Sequence, residues 1–84
     1  MRLLLQQKPL AGEPPKYVQL ILQQDLLGGW TLLRETGQTG GKAQLRREQY
    51  LERGDAMSAF EKARDAHLRK GFLVMFAQGA DAPR

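Results

Sequence analysis

The sequence predicts an α+β fold, in which a small antiparallel β-sheet of four to five strands carries one α-helix on one face. Two observations lead to this class. In the first half of the chain, apolar and polar residues alternate between stretches that contain glycine or proline, as in strands joined by turns. From about residue 55 onward, apolar residues recur every three or four positions, which is the period of an amphipathic helix.

The first two strands are bounded by residues that interrupt sheet pairing. Arg2 to Gln7 is predicted to be a short strand that Lys8-Pro9 ends, because proline lacks a backbone donor. Ala11 to Pro15 contains a glycine and two adjacent prolines, a composition typical of a loop. Lys16 to Gln24 is the second strand. Its more apolar face consists of Val18, Leu20 and Leu22.

Two further strands flank a glycine-rich stretch. Asp25 to Gly29 is predicted to be a turn, because its two final glycines tolerate positive φ angles. The third strand covers Trp30 to Glu35 and the fourth covers Ala43 to Leu51. The segment Arg34 to Lys42, RETGQTGGK, contains three glycines and is predicted to close a hairpin between them.

The predicted helix has recognisable ends. Asp55 can accept a hydrogen bond from an early backbone N–H and is predicted to be the N-cap. Arg69 and Lys70 suit the negative end of the helix dipole, and Gly71 follows as a C-capping residue. The apolar face of this helix comprises Ala56, Phe60, Ala63 and His67.

The length of 84 residues and the absence of an internal repeat predict a single domain, since domains typically contain ~100 to 150 residues. We expect it to span residues 1–76 and to close on the apolar run Phe72 to Phe76, either as a last strand or as an extended segment on the core. Residues 77–84 have little to bury and are predicted to form a flexible tail.

Composition argues against several functional classes. The chain has no cysteine and one histidine, so neither a metal site nor a cofactor is predicted. Leu3-Leu4-Leu5 is too short for a signal peptide, and no stretch approaches the ~20 apolar residues that cross a bilayer, so a cytoplasmic protein is expected. The net charge of +4 favours polyanionic partners without identifying one.

Two residues that could serve chemistry are better explained by packing. Trp30 could stack on a nucleic-acid base, but its place at a strand start beside Leu32 and Leu33 is more typical of core. His67 lies on the apolar helix face, and no serine, cysteine or pair of carboxylates is spaced to use it as a base. No catalytic residue is predicted, and the protein is expected not to be an enzyme.

The densest positive stretch contains Lys42, Arg46 and Arg47, with no acid between positions 42 and 47. On an extended strand, Lys42 and Arg46 share one face and Arg47 points to the other. Arg34 of the preceding strand can join the first pair. The alternative is that these cations form ion pairs with Glu35 or Glu48.

Several stretches follow one another in a recognisable order along the chain. They are Lys16-Tyr17, Gly29 to Glu35, Gly37 to Gly40, the helix with Ala56, Phe60 and Lys62, and Lys70-Gly71-Phe72. These stretches and the order of elements resemble the WGR domain, a small module named for a Trp-Gly-Arg tripeptide and found in poly(ADP-ribose) polymerases and in short bacterial proteins. The resemblance implies the same α+β fold. In the polymerases this module contacts DNA at a break and neighbouring domains, so a DNA-binding surface is also implied.

The tripeptide itself is altered to Thr36-Gly37-Gln38. Threonine cannot stack on a base as tryptophan can, and glutamine offers hydrogen bonds without the charge of arginine. Backbone N–H groups of the glycines could approach a phosphate, although the stretch is not a P-loop. The nucleic-acid-binding residues implied by the resemblance and the positive stretch are Arg34, Gln38, Lys42 and Arg46.

Two functions follow as hypotheses. The leading one is a nonenzymatic WGR-like module that binds DNA or another nucleic acid weakly through the basic strand surface. The alternative is a module for protein–protein interaction or homodimerisation that has lost DNA binding. It would use a sheet edge or the segment Phe72 to Phe76.

Overall fold

The protein contains one α-helix and five strands: β1 (Arg2–Gln7), β2 (Lys16–Gln24), β3 (Trp30–Gln38), β4 (Ala43–Tyr50), α1 (Arg53–Arg69) and β5 (Phe72–Gln78). The structure, a computed structural model, describes residues 1–8 and 11–79. All five strands form one antiparallel sheet in the order β4-β3-β2-β1-β5. The predicted α+β class is therefore confirmed.

The connections explain the strand order. From β1 to β4, each strand pairs with the next one along the chain, as in a meander. The helix then carries the chain back across one face of the sheet, and β5 pairs with β1 at the far edge. The strands β4 and β5 are consequently the two edges of the sheet, although only the helix separates them in sequence.

The core lies between the helix and one face of the sheet. Val18, Leu20 and Leu22 of β2 are exposed by only 2%, 0% and 3%, which confirms the alternation predicted for this strand. Burying a leucine side chain contributes roughly 1.5–3 kcal/mol, so this face stabilises the fold. The other buried apolar residues are Leu3, Leu5, Leu32, Ala56, Phe60, Ala63 and Phe72.

The helix does not cover the whole face. No residue of β4 is buried, whereas β1, β2, β3 and β5 each contribute to the core. The outer part of β3 and β4 on the helix side of the sheet therefore remains open.

The start of the helix differs from the prediction. The helix begins at Arg53, its N-cap is Glu52, and no side chain caps it. The Ala56 N–H donates to Glu52 O at 3.2 Å, so the first carbonyl that accepts a helical hydrogen bond lies three residues before Asp55. Asp55 lies instead in the first turn, where its negative charge suits the positive end of the helix dipole. The prediction of Asp55 as the N-cap is wrong, because the helix tolerates Gly54 inside its first turn.

The other end of the helix agrees with the prediction. Lys70 is the C-cap, and Gly71 follows with φ of +90°, a backbone conformation that glycine adopts readily. The N–H groups of Lys70 and Gly71 donate to His67 O and Leu68 O, each at 3.1 Å. This arrangement turns the chain from the helix into β5.

Three strand boundaries differ from the predicted ones. β3 continues to Gln38, so the glycine turn shortens to the residues between Gln38 and Ala43. β4 ends at Tyr50, one residue early, and β5 continues to Gln78, two residues past the predicted domain boundary. Of the predicted tail 77–84, Ala77 and Gln78 thus pair in the sheet, and residues 80–84 lie outside the described residues.

Candidate functional site

The residues predicted to bind nucleic acid lie together on the helix side of the sheet. Arg34 and Arg46 are direct partners in the pairing of β3 with β4, so their side chains share a face. Gln38 lies four residues beyond Arg34 on the same face of β3, and Lys42 lines the same surface cavity as Gln38. Arg47 occupies the opposite face of β4, as the alternation predicts.

These side chains line two adjoining cavities beyond the end of the helix. The larger cavity has a volume of about 550 Å³ and is lined by Gln38, Lys42 and Lys16 among others. The smaller has a volume of about 260 Å³ and is lined by Arg34, Arg46 and Lys70 among others. Thr36 and Gln44 line both. We call the combined surface the basic cleft; its cations are Lys16, Arg34, Lys42, Arg46 and Lys70.

Sequence reasoning missed Lys16 and Lys70. The signal for Lys16 was present, because counting outward from the turn at Asp25 to Gly29 pairs Lys16 with Gln38, as the structure does. Lys70 reaches the cleft only because the helix crosses the sheet towards this corner. No pattern within the chain specifies that crossing.

Arg34 is partly neutralised by an acid. Its Nη2 donates to Glu48 Oε1 at 3.0 Å, and Glu48 Oε2 accepts a hydrogen bond from the Tyr50 hydroxyl, also at 3.0 Å. Burial and the hydrogen bond with Glu48 raise the pKa of Tyr50, because both favour the neutral phenol. Arg34 Nε is buried and has no hydrogen-bond partner within the described residues. Arg34 is thus held in place by Glu48 and offers less charge to a ligand than the other cations.

The remaining cations of the cleft are not paired in this way. No ion pair within the described residues involves Lys16, Lys42, Arg46 or Lys70. Of the cations in the cleft, only Arg34 forms the ion pair that the sequence offered as an alternative, as far as residues 1–8 and 11–79 are concerned. Glu35, the other predicted partner, lies on the opposite face and accepts a hydrogen bond from the Tyr17 hydroxyl at 2.7 Å.

The hydrogen bond to Glu35 also affects Tyr17. The hydrogen bond, followed by burial and the charge of Glu35, raises the pKa of Tyr17 above its ordinary value. Tyr17 therefore remains a neutral donor at physiological pH, and this pair fixes β2 against β3 on the face away from the helix.

The glycines have structural roles. Gly37 lies inside β3, where an added Cβ would be 3.0 Å from Lys42 O and 3.1 Å from Ala43 Cα. Gly40 has φ of +80°, and the Gly41 N–H donates to Gln38 O at 2.9 Å to close the turn. The segment RETGQTGGK therefore serves to close a tight hairpin, and the N–H of Gly41 is already used within the protein.

Gln38 and His67 also have partners in the protein. Gln38 Nε2 donates to Pro14 O at 3.3 Å, so its side chain ties β3 to the loop before β2. His67 Nδ1 lies 2.8 Å from Ala63 O and must carry a proton to donate to that carbonyl. The His67 ring also meets Phe72 edge-on, with centroids 5.2 Å apart. Half-buried packing is the observed role of His67, as the sequence predicts.

Trp30 lies away from the basic cleft. It is half buried, packs against the core, and receives the Arg53 guanidinium at 5.7 Å from its ring centroid. The interpretation of Trp30 as a packing residue is supported. The cleft has no tryptophan to stack on a base.

Residues 1–8 and 11–79 contain neither a cluster of metal ligands nor a helix that could cross a membrane. No group of three or more His, Cys, Asp or Glu residues in this part of the chain could hold a metal ion. Among the same residues, no helix is long and apolar enough to cross a membrane.

Comparisons with protein-family models, curated proteins and solved structures found no match. The resemblance to the WGR domain stays a prediction from the residues of this chain, and the functional argument depends on the geometry of the cleft.

Proposed function

We propose that the protein is a nonenzymatic WGR-like module that binds DNA weakly through the basic cleft. The observation that carries this proposal is that five cations converge on one open face, four of them without an ion pair in the described part of the chain. Unpaired lysine and arginine side chains at a surface are the groups that contact phosphate oxygens in nucleic-acid complexes.

The dimensions of the cleft suit a short segment of the DNA sugar–phosphate backbone. Arg34 and Gln38 are separated by four residues along β3, which is roughly 13 Å in a strand. That length corresponds to about four base pairs of duplex, at ~3.4 Å of duplex axis for each phosphate of one strand. Several phosphates can therefore meet the cations of the cleft at once.

The chemistry of the cleft determines what it can recognise. Lysine and arginine contacts with phosphates position a nucleic acid but carry no base information. The tripeptide Thr36-Gly37-Gln38 has neither the tryptophan nor the arginine that the polymerase modules use at a DNA break. We therefore expect binding that depends on charge and shows no preference for sequence or for a nick.

Salt dependence gives a quantitative expectation. Each phosphate neutralised on duplex DNA contributes about −0.9 to the slope of log K against log salt, so four contacts predict a slope of about −3.6. A fourfold rise in salt would then weaken binding by roughly 150-fold. Binding that ignores salt would contradict the proposal.

The test is a titration into labelled single-stranded, blunt duplex and nicked duplex DNA at low and near-physiological salt. The variant is Lys42→Glu/Arg46→Glu, which removes two unpaired cations of the cleft. The matched control is Arg47→Glu/Lys62→Glu, since Arg47 lies on the other face of β4 and Lys62 is exposed on the helix. Each double variant replaces two positive charges by two negative ones, which takes the net charge from +4 to 0.

If the cleft variant loses at least about tenfold more affinity than the control variant, the basic cleft is supported as the binding surface. The slope of log K against log salt for the cleft variant should also be shallower by about 1.8. Equal losses in both variants would mean that net charge alone attracts DNA. No binding by the unmodified protein even at low salt would overturn the proposed function.

A further inference from the structure

The outer edge of β5 is open and apolar. β5 ends the sheet, so no strand within residues 1–8 and 11–79 pairs with its outer side. Leu73, Val74, Met75 and Phe76 are exposed by 48%, 37%, 57% and 47%. An exposed edge of this kind presents unpaired backbone N–H and C=O groups beside apolar side chains, and can accept another strand.

β5 contains no charged residue and no proline, two of the features that keep edge strands from pairing with other chains. The pairing of β1 with β5 shifts register between Leu4 and Leu5, and this bulge leaves Met75 without a partner in β1. The most exposed apolar side chain of the strand is thus not used by its own sheet.

We propose that β5 pairs with β5 of a second copy of this chain, antiparallel and about a two-fold axis near Met75. The two sheets would join into one continuous sheet of ten strands, five from each copy. Pairing about a two-fold axis is self-complementary, because the same patch serves both subunits. This proposal goes beyond the proposed function and does not depend on it.

Charge distribution favours a second copy at this edge. Each copy carries a net charge of +4, so two copies repel unless the contact keeps their cations apart. β5 itself carries no charge, and β4, which bears Arg46 and Arg47, lies at the opposite edge. Pairing through β5 would place the two β4 strands nine strand spacings apart, roughly 43 Å. That separation exceeds the screening length of about 8 Å at physiological salt, so the repulsion between the two β4 strands is small.

Pairing through β4 would be unfavourable by the same argument. An antiparallel β4 contact would bring Arg46 and Arg47 of both copies to one seam, and like charges opposite one another destabilise a strand pair. A charged partner protein, in turn, finds no charge on β5 to pair with. A strand of the same apolar, uncharged composition is the occupant that the chemistry of this edge fits.

Sedimentation equilibrium of the full chain without DNA, from low micromolar to millimolar concentration, tests the proposal. The variant is Met75→Lys, which places a charge at the centre of the open edge. The matched control is Leu45→Lys on β4, where the leucine is 68% exposed. Because both side chains are exposed, both variants should fold, which circular dichroism would verify.

We expect a dimer whose dissociation constant rises at least about tenfold in Met75→Lys and remains unchanged in Leu45→Lys. Amide hydrogen exchange provides a second measurement, since β5 amides should become more protected as concentration rises while β4 amides do not. A monomer at all concentrations would overturn the proposal and assign the β5 edge to a strand from a different protein. A dimer broken by Leu45→Lys, or by both variants equally, would also overturn it. DNA binding is measured separately, so each proposal can fail without the other.

Discussion

The two edges of the sheet differ in charge, burial and accessible surface. β4 carries Arg46, Arg47 and Glu48 and buries none of its side chains. β5 carries no charge, buries Phe72, and exposes its apolar centre. One edge is thus suited to contact with a polyanion in water, and the other to contact with an apolar strand.

The difference shows how one small sheet can present a charged surface at one edge and an apolar surface at the other. Charged residues on β4 prevent sheet extension there, since a second strand would have to bury or oppose them. The same charges attract phosphates, which need no desolvated contact. β5 carries no charged side chain that could contact a phosphate, so the two proposed ligands would use different edges.

The largest difference between the two edges should be the loss of stability when one apolar side chain on each edge is truncated to alanine. Phe72→Ala removes a side chain that is 8% exposed and contacts the His67 ring, so we expect a loss of about 3 kcal/mol in the free energy of unfolding. Leu45→Ala on β4 should cost less than about 0.5 kcal/mol, because Leu45 is exposed. Thermal denaturation should show a melting temperature lower by roughly 12 to 24 °C for Phe72→Ala. Equal shifts would mean that β4 is anchored as firmly as β5.

A smaller effect should follow from crowding the β3–β4 hairpin. In Gly37→Ala the new methyl group would meet backbone atoms of Lys42 and Ala43 at 3.0 and 3.1 Å, so the β4 strand must shift. Such overpacking typically costs about 1–3 kcal/mol. The matched control is Gly41→Ala, where the nearest atom is 3.4 Å away, and its stability should change by less than about 1 kcal/mol. Chemical denaturation of both variants checks this, and a neutral Gly37→Ala would show that the hairpin has room to adjust.

The smallest effect should come from removing the negative charge of Glu48, the acid that pairs with Arg34 in the basic cleft. Glu48→Gln removes the charge that pairs with Arg34 at 3.0 Å, so DNA should bind several-fold more tightly and the salt slope should steepen by up to about 0.9. Stability should fall by less than about 1 kcal/mol, because the pair is partly exposed. Glu52→Gln, a change of the same charge at an exposed position, is the control for net charge in the same titration. Tighter binding by both variants alike would remove the special role assigned to Glu48.

Local patterns predicted much of the fold. The alternation in Lys16 to Gln24 identified the buried face of β2, and the spacing of Ala56, Phe60 and Ala63 identified the buried face of the helix. The turn at Asp25 to Gly29 was also predicted correctly; there Asp25 Oδ1 accepts from the N–H groups of Leu27 and Gly29, each at 2.9 Å. These predictions were correct because side-chain periodicity and turn chemistry depend on only a few neighbouring residues.

Two predicted boundaries were wrong because contacts with the rest of the protein outweigh the conformational preference of single residues. The side chain of Asp55 suggested an N-cap at that residue, yet the helix begins at Arg53 and includes Gly54, although glycine is a poor residue for a helix interior. Glycines also suggested that β3 ends before Gly37, whereas pairing with β4 continues to Gly37 and pairing with β2 continues to Gln38. Hydrogen bonding along the sheet outweighs the intrinsic cost of a glycine in a strand.

By itself, the sequence determined the first four strands, the helix, the apolar faces of β2 and of the helix, and the sharing of one face by Lys42 and Arg46, which Arg34 can join. Only the tertiary structure decided that β5 pairs with β1, that Lys16 and Lys70 join the basic cleft, and that Arg34 pairs with Glu48 and not with Glu35. The physical reason is the distance along the chain over which each property acts. Periodicity and turn residues are local properties of the chain, whereas the order of strands and the meeting of charges depend on how the helix packs across the sheet to bury the shared core.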